Sequence, residues 1–114
     1  MSLKKNNQLA SVIIVNYNNS NRISKCINSI KDQKYKFIET IFVDDQSEDG
    51  SLKTIKKFNN IKIIKTRFKT TFGSFNQINA YYEGFLKTKG DVIFFLDSDD
   101  YFFKNKIKDI MKLY

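Results

Sequence analysis

Four short runs rich in β-branched and aromatic residues, each followed by residues at helical spacing, constrain this chain's fold more than any other feature. Residues 11–15 (SVIIV) read as a strand buried on both faces. Asn18 to Asn21 offer turn and N-cap chemistry. Ile23, Cys26, Ile27 and Ile30 then recur at i, i+3, i+4 and i+7, an amphipathic helix. Residues 37–43 (FIETIFV) give a second strand, and the polar loop Asp44 to Ser51 has Gly50 as its expected flexible point. Leu52, Ile55 and Phe58 mark a second helix. Residues 61–65 (IKIIK) form a third strand whose lysines suit a sheet edge. Phe75, Ile78, Tyr82 and Phe85 mark a third helix, with Gly90 beyond its end. Residues 91–96 (DVIFFL) are a fourth strand, and Ile107, Ile110, Met111 and Tyr114 a last helix. The order β-α-β-α-β-α-β-α predicts a three-layer α/β/α fold with a mostly parallel sheet. Right-handed crossovers then bring every strand's C-terminal end to one rim, where open α/β sheets bind ligands.

Composition narrows the chemistry. A chain of 114 residues predicts one domain, here 9–114 after a polar tail over 1–8. No apolar run approaches the ~20 residues of a membrane span, and the first residues lack an apolar secretory segment. A single Cys excludes an internal disulfide, and the absence of His excludes Ser-His and Cys-His schemes. The net charge of +8 comes mostly from Lys spread along the chain, which fits solvated faces better than a nucleic-acid surface, so no nucleic-acid partner is expected. The acids are not spread. Asp44, Asp45, Glu48 and Asp49 form one group, and Asp91, Asp97, Asp99 and Asp100 another. Each follows or flanks an apolar strand, so both groups reach the same rim.

Carboxylates as close as Asp97, Asp99 and Asp100 repel one another unless a cation or proton intervenes. A hard divalent ion, Mn²⁺ or Mg²⁺, answers that repulsion and completes its shell with phosphate oxygens and water. The alternative is that Ser98, Asp99 or Asp100 caps the last helix. Asp44 and Asp45 could accept hydrogen bonds from a ribose hydroxyl or a base N–H. Alternatively, Ser47, Asp49 or Ser51 caps the second helix. Neither G-x-G-x-x-G nor G-x-x-x-x-G-K-[ST] occurs, which disfavours a glycine cradle for pyrophosphate.

Ser11–Asn18, Ile27–Ile30 with Gln33, Phe42–Ser51 and Lys89–Asp100, in this order and spacing, resemble the opening of a family 2 glycosyltransferase of the Rossmann-like GT-A fold. The resemblance implies inverting transfer of a sugar from a nucleotide-diphosphate sugar, often a UDP-sugar, to a glycan or lipid-linked acceptor. By position, Val15 and Tyr17 would line the base pocket, although a half-buried aromatic at a strand end explains Tyr17 equally well. Asp45 would face the base with Asp44 supporting it, and Asp97 would lie near ribose and metal with Ser98 beside it. Asp99 would ligate Mn²⁺ or Mg²⁺. Tyr81 stands where the family pattern usually has Arg, so Arg67 or a nearby lysine is the expected replacement cation. Family members are considerably longer, and the acceptor site and catalytic base belong to their second half. This chain is therefore expected to bind donor and to turn over little by itself. Asp109 reads as a solvated helix acid. An uncovered edge on the fourth strand would invite a homodimer. The family's usual work suggests the cytoplasm, at the inner membrane face. The rivals are a non-catalytic nucleotide-binding fragment and a receiver-like signalling domain. A receiver would need acids on its first strand and a lysine on a fifth, and neither fits.

Overall fold

Every run expected to be extended is a strand, and every helical repeat is a helix. The computed structural model describes residues 8–114, so residues 1–7 of the polar tail lie outside the described residues. The elements are β1 (Ala10–Asn16), α1 (Ile23–Lys31), β2 (Ile38–Asp44), α2 (Ser51–Ile55), β3 (Ile61–Lys65), α3 (Gly73–Phe85), β4 (Val92–Asp97) and α4 (Lys106–Met111). The four strands pair in the order β3-β2-β1-β4, all parallel. β1 is central and buried along its whole length, as its apolar run requires. β3 is an edge, with Lys62 and Lys65 exposed on it as expected. β4 is the other edge.

Alternation along each strand separates two cores. Val12, Ile14, Phe42, Phe94 and Leu96 point to one face and pack with Ile23, Cys26 and Ile27 of α1, Ile55 of α2, and Ile107 and Met111 of α4. Ile13, Val15, Ile41 and Val43 point to the other face and meet α3 through Ala80. Three helices close the first face and one covers the second. That imbalance decides where a ligand can enter.

Three local expectations need correction. The stripe that reveals α3 does not face the sheet: Phe75, Ile78, Tyr82 and Phe85 are 48%, 68%, 55% and 50% exposed. Asn76, Ala80, Glu83 and Gly84 face inward instead. Close approach explains this. A Cβ on Gly84 would lie 2.6 Å from Ile13 Cγ2 and 2.8 Å from Val43 Cγ2, so the contact face must be small. Its polar members are satisfied locally. Asn76 Oδ1 accepts the Thr70 N–H at 2.8 Å, and Glu83 accepts Asn79 Nδ2–H at 2.9 Å. The second correction concerns Asn18 to Asn21, which give α1 no side-chain cap. Asn18, at φ 53°, instead accepts the backbone N–H groups of Glu48 and Asp49. Third, the loop after β2 turns at Gln46, with φ 59°, and Gly50 keeps an ordinary negative φ of −81°.

Candidate functional site

Both acid groups stand at the C-terminal rim on either side of β1, with Asn16 opposite Asp44 and Val15 opposite Asp97 in register, except for Asp91, which precedes β4 at the opposite end of the sheet and accepts the Leu9 backbone N–H at 3.0 Å. Asn16 is fully buried and joins the two sides. Its Nδ2 donates to Asp44 Oδ1 at 3.0 Å and to Ser47 Oγ at 3.2 Å. Its Oδ1 accepts Ser98 Oγ–H at 2.7 Å. Asp44 also accepts the Ser47 backbone N–H at 3.0 Å and the Ser47 hydroxyl at 2.7 Å. Asp44, Asn16 and Ser98 are all buried, so none presents a free surface at the rim. The sequence reading did not identify Asn16 as this link. A polar amide ending a run of four apolar strand residues was the available signal.

The residues of opposite parity form a cavity of about 310 Å³. Val15, Tyr17 and Asp45 line one side and Asp97 and Asp99 the other, with Asn19, Lys69, Gly73, Asn76 and Gln77 completing the wall. The structure therefore brings together Val15, Tyr17, Asp45, Asp97 and Asp99, while Asp44 and Ser98 stand behind them. Asp45 is 5% exposed, and its Oδ1 accepts Thr66 Oγ1–H at 2.8 Å. Lys69 lies 3.9 Å from Asp45 Oδ2, donates to the Asp45 carbonyl at 3.1 Å, and sits 3.0 Å from the Tyr17 ring centroid. Lys69 is the cation on the cavity wall. Arg67 pairs with Glu83 at 3.5 Å, and its side chain is 74% exposed. Of the expected replacement cations, Lys69 is the one in place.

Asp97 Oδ1 accepts Tyr81 Oη–H at 2.5 Å and Gln77 Nε2–H at 3.1 Å. Burial first, then the Asp97 hydrogen bond and charge, push the Tyr81 hydroxyl well above its ordinary range, so it stays a donor. Beneath this edge, Cys26 is fully buried, and burial with the charges of Asp100, Asp99 and Asp97 pushes its thiol up to about 12. Asp99 is exposed, and its carboxylate has no hydrogen-bond or ion-pair partner among the described residues.

The capping alternative for Ser98, Asp99 and Asp100 does not describe this fold. α4 starts only at Lys106, and the buried Gln33 accepts the Ile107 N–H at 3.0 Å there. Gln33 also donates to the Phe103 carbonyl at 2.7 Å, which fixes the segment after Asp100. Nor does a side chain cap α2, whose N-cap position is Gly50, although the other acid group bonds beside it. Asp49 accepts the Ser51 backbone N–H at 2.9 Å and hydroxyl at 2.5 Å, at the start of α2. These bonds, the Ser51 hydroxyl foremost, hold its carboxyl below the usual range.

No group of three or more His, Cys, Asp or Glu side chains forms a metal cage among the described residues. The fit is to a hard ion held by one or two carboxylates. Asp99 and the unbonded oxygen of Asp97 are hard oxygen donors of the kind such an ion takes when phosphate oxygens or water complete its shell.

Residues 11–114 match the model of Glycosyl transferase family 2. A UDP-Glc:alpha-D-GlcNAc-diphosphoundecaprenol beta-1,3-glucosyltransferase of Escherichia coli is 37% identical over 103 residues, covering 90% of this chain and 39% of that protein. The poly(ribitol-phosphate) beta-N-acetylglucosaminyltransferase TarS of Staphylococcus aureus is 30% identical over 102 residues, covering 87% of this chain and 18% of that one. The crystal structure of S. aureus TarS 1-349 with UDP superposes with a TM-score of 0.78 at 27% identity, covering 90% of this chain and 31% of that chain. A Pyrobaculum calidifontis mannosyltransferase solved with GDP-Man and Mn²⁺ shares the fold at TM-score 0.70 and 18% identity, over 82% of this chain and 28% of that one. Against the first curated relatives the chain spans 32%, 39% and 41% of their lengths.

Proposed function

The chain belongs to glycosyl transferase family 2, and from that premise we propose that its rim cavity binds the nucleotide diphosphate of a sugar donor, a UDP-sugar first. One observation carries this reading. Val15, Tyr17 and Asp45 face Asp97 and Asp99 across a single cavity at the C-terminal ends of parallel strands. Tyr17 and Val15 offer an apolar wall for a base, and Asp45 an acceptor for its N–H groups. Asp97 and Asp99 would hold Mn²⁺ or Mg²⁺. That ion would act as a Lewis acid on the leaving diphosphate. Lys69 gives the anionic donor a cation from the protein itself.

Transfer would be inverting, to a hydroxyl of a glycan or lipid-linked acceptor. We assign no catalytic base: the acids lining the cavity, Asp45, Asp97 and Asp99, all belong to the donor side in this reading. The chain alone is accordingly a donor-binding unit of low turnover. Work at the cytoplasmic membrane face rests on the net charge of +8 and the lipid-linked substrate in the E. coli relative's name. Co-sedimentation with anionic vesicles tests it, and no retention would end that part of the proposal. A homodimer through β4 rests on its edge position and on Phe95, which is 57% exposed. A clean monomer by light scattering would refute it.

Calorimetric titration of UDP with and without Mn²⁺ decides the central point. We expect metal-dependent binding that Asp99→Ala weakens tenfold or more while the folded state keeps its stability. Binding of equal strength with and without metal, in both proteins, would overturn the metal assignment. No binding to folded protein would overturn the donor site.

A further inference from the structure

Among the cavity acids, Asp97 is gripped from behind by α3. Tyr81 and Gln77 lie four residues apart on α3, so both side chains project over the same end of β4. Both donate to one oxygen, Asp97 Oδ1, at 2.5 Å and 3.1 Å. Nothing among the described residues donates to Oδ2. The Tyr81 ring is itself held, edge-on to Phe95 with centroids 5.1 Å apart and planes at 87°. Gly84, on the same helix, sets the close approach of α3 to β1 that brings this hydroxyl within reach.

The torsion that aims a carboxylate is soft and roughly two-fold, so an ungripped Asp97 would sample many orientations. Two donors on one oxygen remove that freedom and leave Oδ2 for the cavity. A cation in Tyr81's place would also fix the carboxylate, but would cancel its charge. A phenol fixes it and leaves the charge for a metal ion. Tyr81 is not part of the cavity wall, whereas Asp97 is. It therefore acts through Asp97.

We propose that Tyr81, with Gln77 in a smaller share, is a positioning residue for donor binding: it holds Asp97 with Oδ2 presented to the metal–diphosphate complex. The inference rests on the donor-site reading and deepens it. The test is calorimetric titration of UDP into wild type, Tyr81→Phe and Gln77→Ala, each with and without Mn²⁺. Tyr81→Phe should weaken the Mn²⁺-dependent affinity roughly tenfold, the order expected for one hydrogen bond to a charged group. Gln77→Ala should weaken it about threefold. UDP binding without metal should stay within twofold of wild type in Tyr81→Phe, a selectivity that general loosening of α3 would not give. Equal affinities for wild type and Tyr81→Phe in Mn²⁺ would overturn the inference and leave the donor site standing. Proportional losses with and without metal would also overturn it, as a structural role. A wild type with no metal-dependent UDP binding would overturn the donor-site reading and this inference with it.

Discussion

Asp44 and Asp99 belong to acid groups with the same sequence setting, polar residues where an apolar parallel strand ends, yet they have opposite fates. Asp44 is fully buried and accepts hydrogen bonds from Asn16 and from the Ser47 backbone and hydroxyl. Asp99 is exposed and bonded to nothing among the described residues. The pleat explains the divergence. Asn16, Asp44 and Ser98 share the parity of the face that three helices close, so their polar atoms must satisfy one another. Val15, Asp45 and Asp97 share the parity of the face that α3 alone covers, and there the rim stays open. Position after a strand brings an acid to the rim; strand parity and helix cover decide whether it becomes scaffold or site.

The sharpest way to break this comparison is to remove each acid in turn. Asp44→Ala would leave Asn16 Nδ2, Ser47 N–H and Ser47 Oγ without their carboxylate in a buried setting. The expected loss is about 3 kcal/mol of stability or more, read as a lower urea midpoint, because breaking a buried charged network strands its partners. Asp99→Ala should leave that midpoint within about 0.5 kcal/mol, as surface substitutions do, while reducing Mn²⁺-dependent UDP affinity. If the two variants exchanged these phenotypes, the parity argument would be wrong.

Much of this is legible in the amino-acid sequence. β-branched runs and 3.6-residue repeats fixed the order of elements, the lysines of β3 marked its edge, and topology placed both acid groups, Asp91 apart, on one rim. What escaped was set by contacts distant in sequence. The exposed stripe of α3 has the stronger periodicity, but helix–sheet distance favoured Ala80 and Gly84 on the inner face. Asn16 joins partners 28 and 82 residues away, a link that no local pattern announces. Arg67 and Lys69 are two residues apart in one loop, and only the fold of that loop sends one to Glu83 and the other into the cavity.

Lys69 offers an intermediate test of the open side. It neighbours an acid, an aromatic ring and the space proposed for an anion, so Lys69→Ala should affect both stability and binding slightly. UDP affinity should fall about threefold to tenfold at low salt, with the difference shrinking as salt screens the pair. A salt-independent loss would mean that Lys69 serves the cavity by packing over Tyr17 and not by charge.

The smallest expected effect divides the first acid group within itself. Asp49 belongs to the same loop as Asp44 but lies in solvent, accepting bonds from Ser51 and from the Ser20 backbone. These lower its carboxyl in the folded state. A carboxyl depressed on folding contributes stability that is present above its unfolded value of about 4 and disappears as pH falls through the lower folded value. The urea midpoint of wild type should therefore fall below pH 4 by slightly more than that of Asp49→Asn, and the two should run parallel above it. Solvent screening keeps the difference well under that of Asp44→Ala. A larger pH-dependent difference at Asp49 than the loss at Asp44 would show that the exposed Asp49 bonds, and not the buried Asn16 network, secure the loop that carries Asp45 to the cavity.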